Sequence, residues 1–133
     1  MVEEQVQGAQ MRLSPKVVFE RMIEAANRHG LEAMLACFVP DFRSEQPFHP
    51  ERNFTGHAGI QKNWSFFFST MPDFRVEILS EVIEGDTVWA ELLYHGTQVD
   101  GTKQVTRGVT IQGIQADQIV WARLYIEIVQ GTG

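Results

Sequence analysis

Met71-Pro72-Asp73-Phe74-Arg75-Val76-Glu77-Ile78 marks the place where the pattern of the chain changes. Before it, Ile60, Trp64, Phe67, Phe68 and Met71 recur at helical spacing. After it, Phe74, Val76, Ile78 and Ser80 alternate with Arg75, Glu77, Leu79 and Glu81. A change from period 3.6 to period two is the signature of a helix giving way to strands. Pro72 and Asp73 supply the break between them.

Working forward, Glu84-Gly85-Asp86 reads as a hairpin turn, and residues 87–99 as a long strand. Asp100-Gly101 turns the chain into a strand over 104–114, and residues 115–118 turn it again into a last strand over 119–129. Working back, a third helix covers about 57–70, and His49-Pro50-Glu51-Arg52-Asn53 is a polar loop. Residues 41–47 read as a short strand. Leu31, Met34, Leu35 and Phe38 form the stripe of a second helix that Pro40 stops. Ser14-Pro15 opens a first helix as N-cap and first turn, with Phe19, Met22, Ile23 and Ala26 on its apolar side and Gly30 as its closing glycine. Three helices followed by four long strands predict an α+β domain over 14–129, between tails at 1–13 and 130–133. The strands carry apolar residues on both alternation sets, as in Trp89 and Leu93 against Val88, Ala90 and Leu92. Both faces of the sheet are therefore expected to be covered, one by the helices and the other by a second copy in a homodimer.

Composition narrows the function. With 133 residues the chain buries roughly two thirds of its unfolded surface as one domain. A net charge of −6 argues against nucleic acid and against an anionic membrane as partners. No apolar run is long enough to cross a bilayer, and residues 1–12 lack the layout of a signal peptide, so a cytoplasmic address is the default expectation. The one cysteine, Cys37, sits in an apolar run and reads as an inert buried thiol.

Several phrases, in order and spacing, resemble the SnoaL-like branch of the nuclear transport factor 2-like superfamily. They are Phe54-Thr55-Gly56-His57-Ala58-Gly59-Ile60, Met71-Pro72-Asp73-Phe74, Gly85-Asp86-Thr87-Val88, His95-Gly96-Thr97 and residues 119–127. Polyketide cyclases, ketosteroid isomerase and limonene epoxide hydrolase are relatives within that resemblance. It implies a cone-shaped fold: a curved, mainly antiparallel sheet wrapped around three helices, with a mostly apolar pocket open at one end. It also implies pocket carboxylates in catalytic members, and here the chain departs from the pattern. The place before Pro47, where the isomerase carries its base, is Gln46, and an amide cannot abstract a proton near neutral pH. The place four residues after Trp121, where the cyclases carry an aspartate, is Tyr125. The interleaved position of the epoxide hydrolases is Leu124.

The remaining candidates admit two readings each. Arg123, Tyr125 and Glu127 share one strand face with Trp121. They are either a catalytic cluster inside the pocket, with Tyr125 as donor and Glu127 as acid or base, or an ion-paired set on the opposite sheet face. His95 is either a general base or an exposed histidine beside a turn, and Tyr94, on the other face of that strand, is a ligand-binding candidate. Gln46 and His49 are candidates for holding a ligand oxygen. Trp64, Phe67 and Phe68 are candidates for an aromatic wall against a flat apolar ligand, with ordinary core packing as the alternative. Phe66 falls off that stripe. His49 and His57 with Glu51 match no metal-site spacing, so neither metal nor cofactor is expected. His29 suits a helix C-terminus and needs no further role. Two function classes follow. One is a cofactor-free cyclase, isomerase or hydrolase acting on a small oxygenated apolar molecule. The other is a non-catalytic module binding a ligand or a protein partner.

Overall fold

The computed structural model describes residues 13–129. Helix α1 spans Pro15–Asn27 and α2 spans Leu31–Leu35. Strand β1 spans Phe38–Glu45, a 3-10 turn spans Pro50–Arg52, and the two-residue β2 spans Phe54–Thr55. Helix α3 (His57–Thr70) precedes the strands β3 (Arg75–Glu84), β4 (Thr87–Thr97), β5 (Lys103–Gln115) and β6 (Gln118–Ile128). All six strands form one curved sheet in the order β2-β1-β6-β5-β4-β3. The pairings are antiparallel except β1 with β6, which is parallel. The α+β architecture expected from the change of period at Phe74 is the one observed.

The register divides the sheet into two faces. Val76, Val88, Ala90, Leu92, Tyr94 and Ala122 stand on the inner face and are buried with Val18, Phe19, Met22 and Ile23 of α1. Trp89, Leu93, Arg107, Arg123 and Tyr125 stand on the outer face. In the single chain Trp89 is 46% exposed there and Val82 62%.

Four details differ from the sequence reading. The tail expected over 1–13 lies outside the described residues except at Leu13, and Leu13 is held: its N–H donates to Asp117 Oδ1 at 2.9 Å and its side chain packs on the core. Phe38 is not the last residue of a helical stripe but the first of β1, because it pairs with Ile119 of β6. Pro40 lies in that strand, within the irregular register between Phe38 and Arg43, where a missing N–H is tolerated. At the end of α1 the left-handed residue is His29 (φ 57°), not Gly30. The Gly30 N–H bonds to Ala25 O at 2.9 Å and the His29 N–H to Ala26 O at 3.0 Å, closing the helix as a Schellman motif. His29 is further held by its ring, which donates to the Phe74 carbonyl at 2.9 Å and stacks on Phe68 at 4.4 Å. Finally, a bulge between Ile78 and Ser80 breaks the alternation, so Glu81 turns inward and meets Lys16 of α1 at 2.7 Å.

Candidate functional site

A cavity of about 950 Å³ lies between α3, the loop after β1 and the inner face of the sheet. Its wall is mainly apolar, with Phe38, Phe42, Phe54, Trp64, Phe67, Phe74, Leu124 and Ile126. The aromatic members pack on one another rather than standing free. Trp64 meets Phe67 edge-on at 5.6 Å and Phe74 at 5.8 Å, and Phe67 stacks on Phe74 at 5.1 Å. Of the aromatic candidates, Trp64 and Phe67 reach the cavity. Phe68 does not; it is taken up by Trp64, Phe74 and the His29 ring. Phe66, off the stripe, is 61% exposed and edges the opening.

Charged residues lie at the opening. Glu51, Arg52, Lys62 and Glu127 are exposed or half-exposed there. The less exposed polar groups include uncharged amides and hydroxyls: Ser44 and Gln112 are buried, and Gln46, Gln104 and Thr106 are half-buried. Gln46 faces the cavity, and its side-chain oxygen accepts from Arg52 at 3.3 Å while its backbone N–H donates to Asn53 Oδ1 at 2.7 Å. Tyr94 is buried, and that desolvation raises its phenol pKa well above the ordinary range, so it stays a neutral hydrogen-bond donor.

The four residues considered for catalysis are not brought together. Arg123 and Tyr125 face away from the cavity, because Ala122, Leu124 and Ile126 take the inner positions of β6. The Arg123 guanidinium lies over the Trp121 ring at 5.2 Å, and Tyr125 meets Phe48 edge-on at 5.4 Å. These two stand on the opposite sheet face, where Arg123 has the Trp121 ring rather than a carboxylate as its partner. Glu127 shares their face by register, but near the end of β6 it borders the opening and bonds to His49 Nε2. His49 Nδ1 in turn lies 3.7 Å from Glu51. His95 stands on the outer face of β4 by register but also borders the cavity; its Nε2 is buried 3.4 Å from Glu77 with no hydrogen-bond geometry between them. His57 is occupied structurally, donating to the Phe38 carbonyl at 2.9 Å. Among the described residues no three His, Cys, Asp or Glu side chains are grouped as metal ligands.

Sequence reasoning passed over Ser44 and Gln112. The signal was present in β5, whose inner set Gln104, Thr106, Thr110 and Gln112 is polar where β4 places Leu92, Ala90 and Val88. A polar run on a face that packs against helices asks for partners.

The SnoaL-like domain family matches residues 19–122. The chain belongs to this family. Among solved structures, wild-type IdmH from Streptomyces antibioticus, a proposed polyketide cyclase, has a TM-score of 0.75 at 18% identity, covering 86% of this chain and 93% of its own. A protein of ketosteroid isomerase-like fold from Catenulispora acidiphila, bound to trimethylamine, has a TM-score of 0.71 at 18% identity, covering 85% and 86%. A cystatin-fold protein from Novosphingobium aromaticivorans has a TM-score of 0.72 at 17% identity, covering 85% and 98%. No curated protein matches the chain. At these identities the SnoaL-like chain shares the fold of those structures, and its chemistry has to be argued from its own cavity. No described helix is long and apolar enough to cross a membrane.

Proposed function

We propose that this SnoaL-like protein binds a small, uncharged, mainly apolar molecule carrying hydroxyl or carbonyl groups, of the general kind that polyketide cyclases handle. The observation that carries the reading is the separation of charge from cavity. The wall is aromatic and aliphatic, its buried polar groups are amides and hydroxyls, and the carboxylates, Arg52 and Lys62 are exposed at the opening, with the half-buried His95 the one imidazole among the described lining residues. Transferring a charged ligand past that wall would leave its charge without a partner, whereas a neutral oxygenated molecule loses little. The test is titration with a neutral fluorescent apolar probe such as N-phenyl-1-naphthylamine, followed by competition with neutral polycyclic phenols and ketones. Neutral competitors are expected to displace the probe, and Leu124→Trp, which narrows the cavity, to weaken them. Failure of every neutral competitor to displace the probe, or affinities unchanged in Leu124→Trp, would overturn the reading.

A second reading, cofactor-independent acid–base catalysis, is favoured by Glu127 at the opening, which is bonded to His49 behind it. A histidine held by a carboxylate is a competent proton-transfer unit. Turnover of a neutral oxygenated substrate that is lost in His49→Ala would favour it over binding alone.

We also propose a homodimer through the outer sheet face. Apolar Val82 and Trp89 stand exposed there. On this face Arg43, Arg75, Lys103, Arg107 and Arg123 are matched in number by Glu45, Glu77, Glu84, Glu91 and Glu127, although the chain as a whole carries −6. A second copy seated there meets no excess of like charge. Light scattering at high micromolar concentration should give twice the chain mass, and Trp89→Glu should give the monomer. A parent that stays monomeric would refute this.

A further inference from the structure

Ser44, Ala122 and Gln112 lie side by side at one level of the sheet. Ser44 of β1 pairs with Ala122 of β6, and Ala122 pairs with Gln112 of β5. All three line the cavity. Each neighbour is one strand spacing away, so the two polar residues stand about 10 Å apart at Cα with only a methyl group between them. The level is deep. Along β6 the inner residues run Ala122, Leu124, Ile126 and Ile128, and the ionic rim is at the Ile128 end, roughly 20 Å from Ala122. Beyond the row, Ile114 and Ile119 are buried.

Gln112 is 5% exposed, and its amide is only half used. One end bonds to Thr110 Oγ1 at 3.3 Å, while the other is buried without a hydrogen-bond partner. Ser44 is equally buried. A desolvated amide oxygen at the wall of an apolar cavity is an unfilled half of a hydrogen bond.

We infer that Gln112, with Ser44 across Ala122, is the anchor for a hydroxyl at the leading end of the ligand. This rests on the cavity being the ligand site and deepens it, because it fixes which end of the molecule enters first. A hydroxyl is the group that fits, since it both donates and accepts and so satisfies either end of the amide, with Ser44 placed to take its second bond. Ala122 leaves the room above the row that a larger side chain would fill. The ligand class is then an alcohol, phenol or enol with an apolar body trailing toward the opening. A molecule of the same shape with a methyl group in place of the hydroxyl would leave the amide unpaired, and sites built to pair a hydroxyl discriminate against such analogues.

The experiment uses the whole chain and two shape-matched probes, 2-naphthol and 2-methylnaphthalene, titrated by calorimetry. In Gln112→Met, 2-naphthol should bind about tenfold more weakly than in the parent. 2-Methylnaphthalene should bind as well as before or better. The apo form of Gln112→Met should melt no lower than the parent, because the substitution removes an unpaired buried group. Ser44→Ala, a smaller change, should weaken 2-naphthol severalfold and leave 2-methylnaphthalene unaltered, which keeps the test open if Gln112→Met folds poorly. If both variants bind 2-naphthol as the parent does, the anchor is refuted while the cavity reading stands. If the parent binds neither probe, the cavity reading fails and the anchor with it.

Discussion

The carboxylate of Asp73 accepts two hydrogen bonds from Thr97, the backbone N–H at 2.7 Å and the hydroxyl at 2.8 Å. Twenty-four residues separate the two, and the bonds tie the end of β4 to the turn that follows α3. The Thr97 N–H is the main cause, with the hydroxyl second, of an Asp73 pKa below the ordinary 3.8. A carboxylate whose folded pKa is depressed stabilises the fold above its unfolded pKa, and the contribution is lost as pH falls through the folded value. The melting temperature of Asp73→Ala should therefore trail the parent by a constant margin at and above about pH 5. Below 3.8 the margin should shrink. An equal margin at pH 2.5 and pH 7 would reject the assignment.

The β5–β6 hairpin turns through Ala116 and Asp117, both in the left-handed region at φ 49° and 69°. Asp tolerates that conformation better than Ala, whose Cβ is strained there. Ala116→Gly should stabilise the protein by about 1 kcal/mol, raising the melting temperature by roughly 2–6 °C. A lower melting temperature would show that the turn is not strained.

At Gly108 a Cβ would stand 2.1 Å from the Tyr125 carbonyl oxygen of β6. Backbone of a paired strand cannot yield as a side chain can. Gly108→Ala should cost about 2 kcal/mol or more in urea unfolding. A change within 0.5 kcal/mol, the usual range for a surface substitution, would contradict the packing described.

Because Arg123 and Tyr125 face away from the cavity, Arg123→Ala and Tyr125→Phe should leave the affinity for neutral apolar probes at the parental value. If a substrate is turned over, Glu127→Gln should lower the rate by roughly two to four orders of magnitude. His95→Ala should not, because His95 stands on the outer face by register and lies beside Glu77. The reverse pattern would move the chemistry to the other face of the sheet.

These differences show where a single sequence informs and where it does not. Period-two alternation from Phe74 onward fixes each strand, because every second side chain must enter the core. The quoted phrases around Asp73 and Thr97 turn out to touch, since they hold one corner of the fold. Alternation cannot say which face is inner when both carry apolar residues, and that ambiguity left Arg123 and Tyr125 with two readings. It also fails at a bulge, which is how Glu81 came to face Lys16. Phe38 illustrates a third limit. Its local neighbours suit a helix, and only pairing with Ile119, eighty-one residues later, makes it a strand.

That last pairing bears on the order of assembly. β6 is the last of the described strands, yet it lies inside the sheet, between β1 and β5. Until it exists, β1 has only the two residues of β2 beside it, and the floor of the cavity has no Ala122 or Leu124. During synthesis the strands β3 to β5 can pair as local hairpins, while the two edges they must join wait for the final segment. Contacts of such long separation form slowly. A nascent chain halted before Gln118 should therefore remain open to protease around β1, and protection should appear there only once residues 118–128 are free to dock.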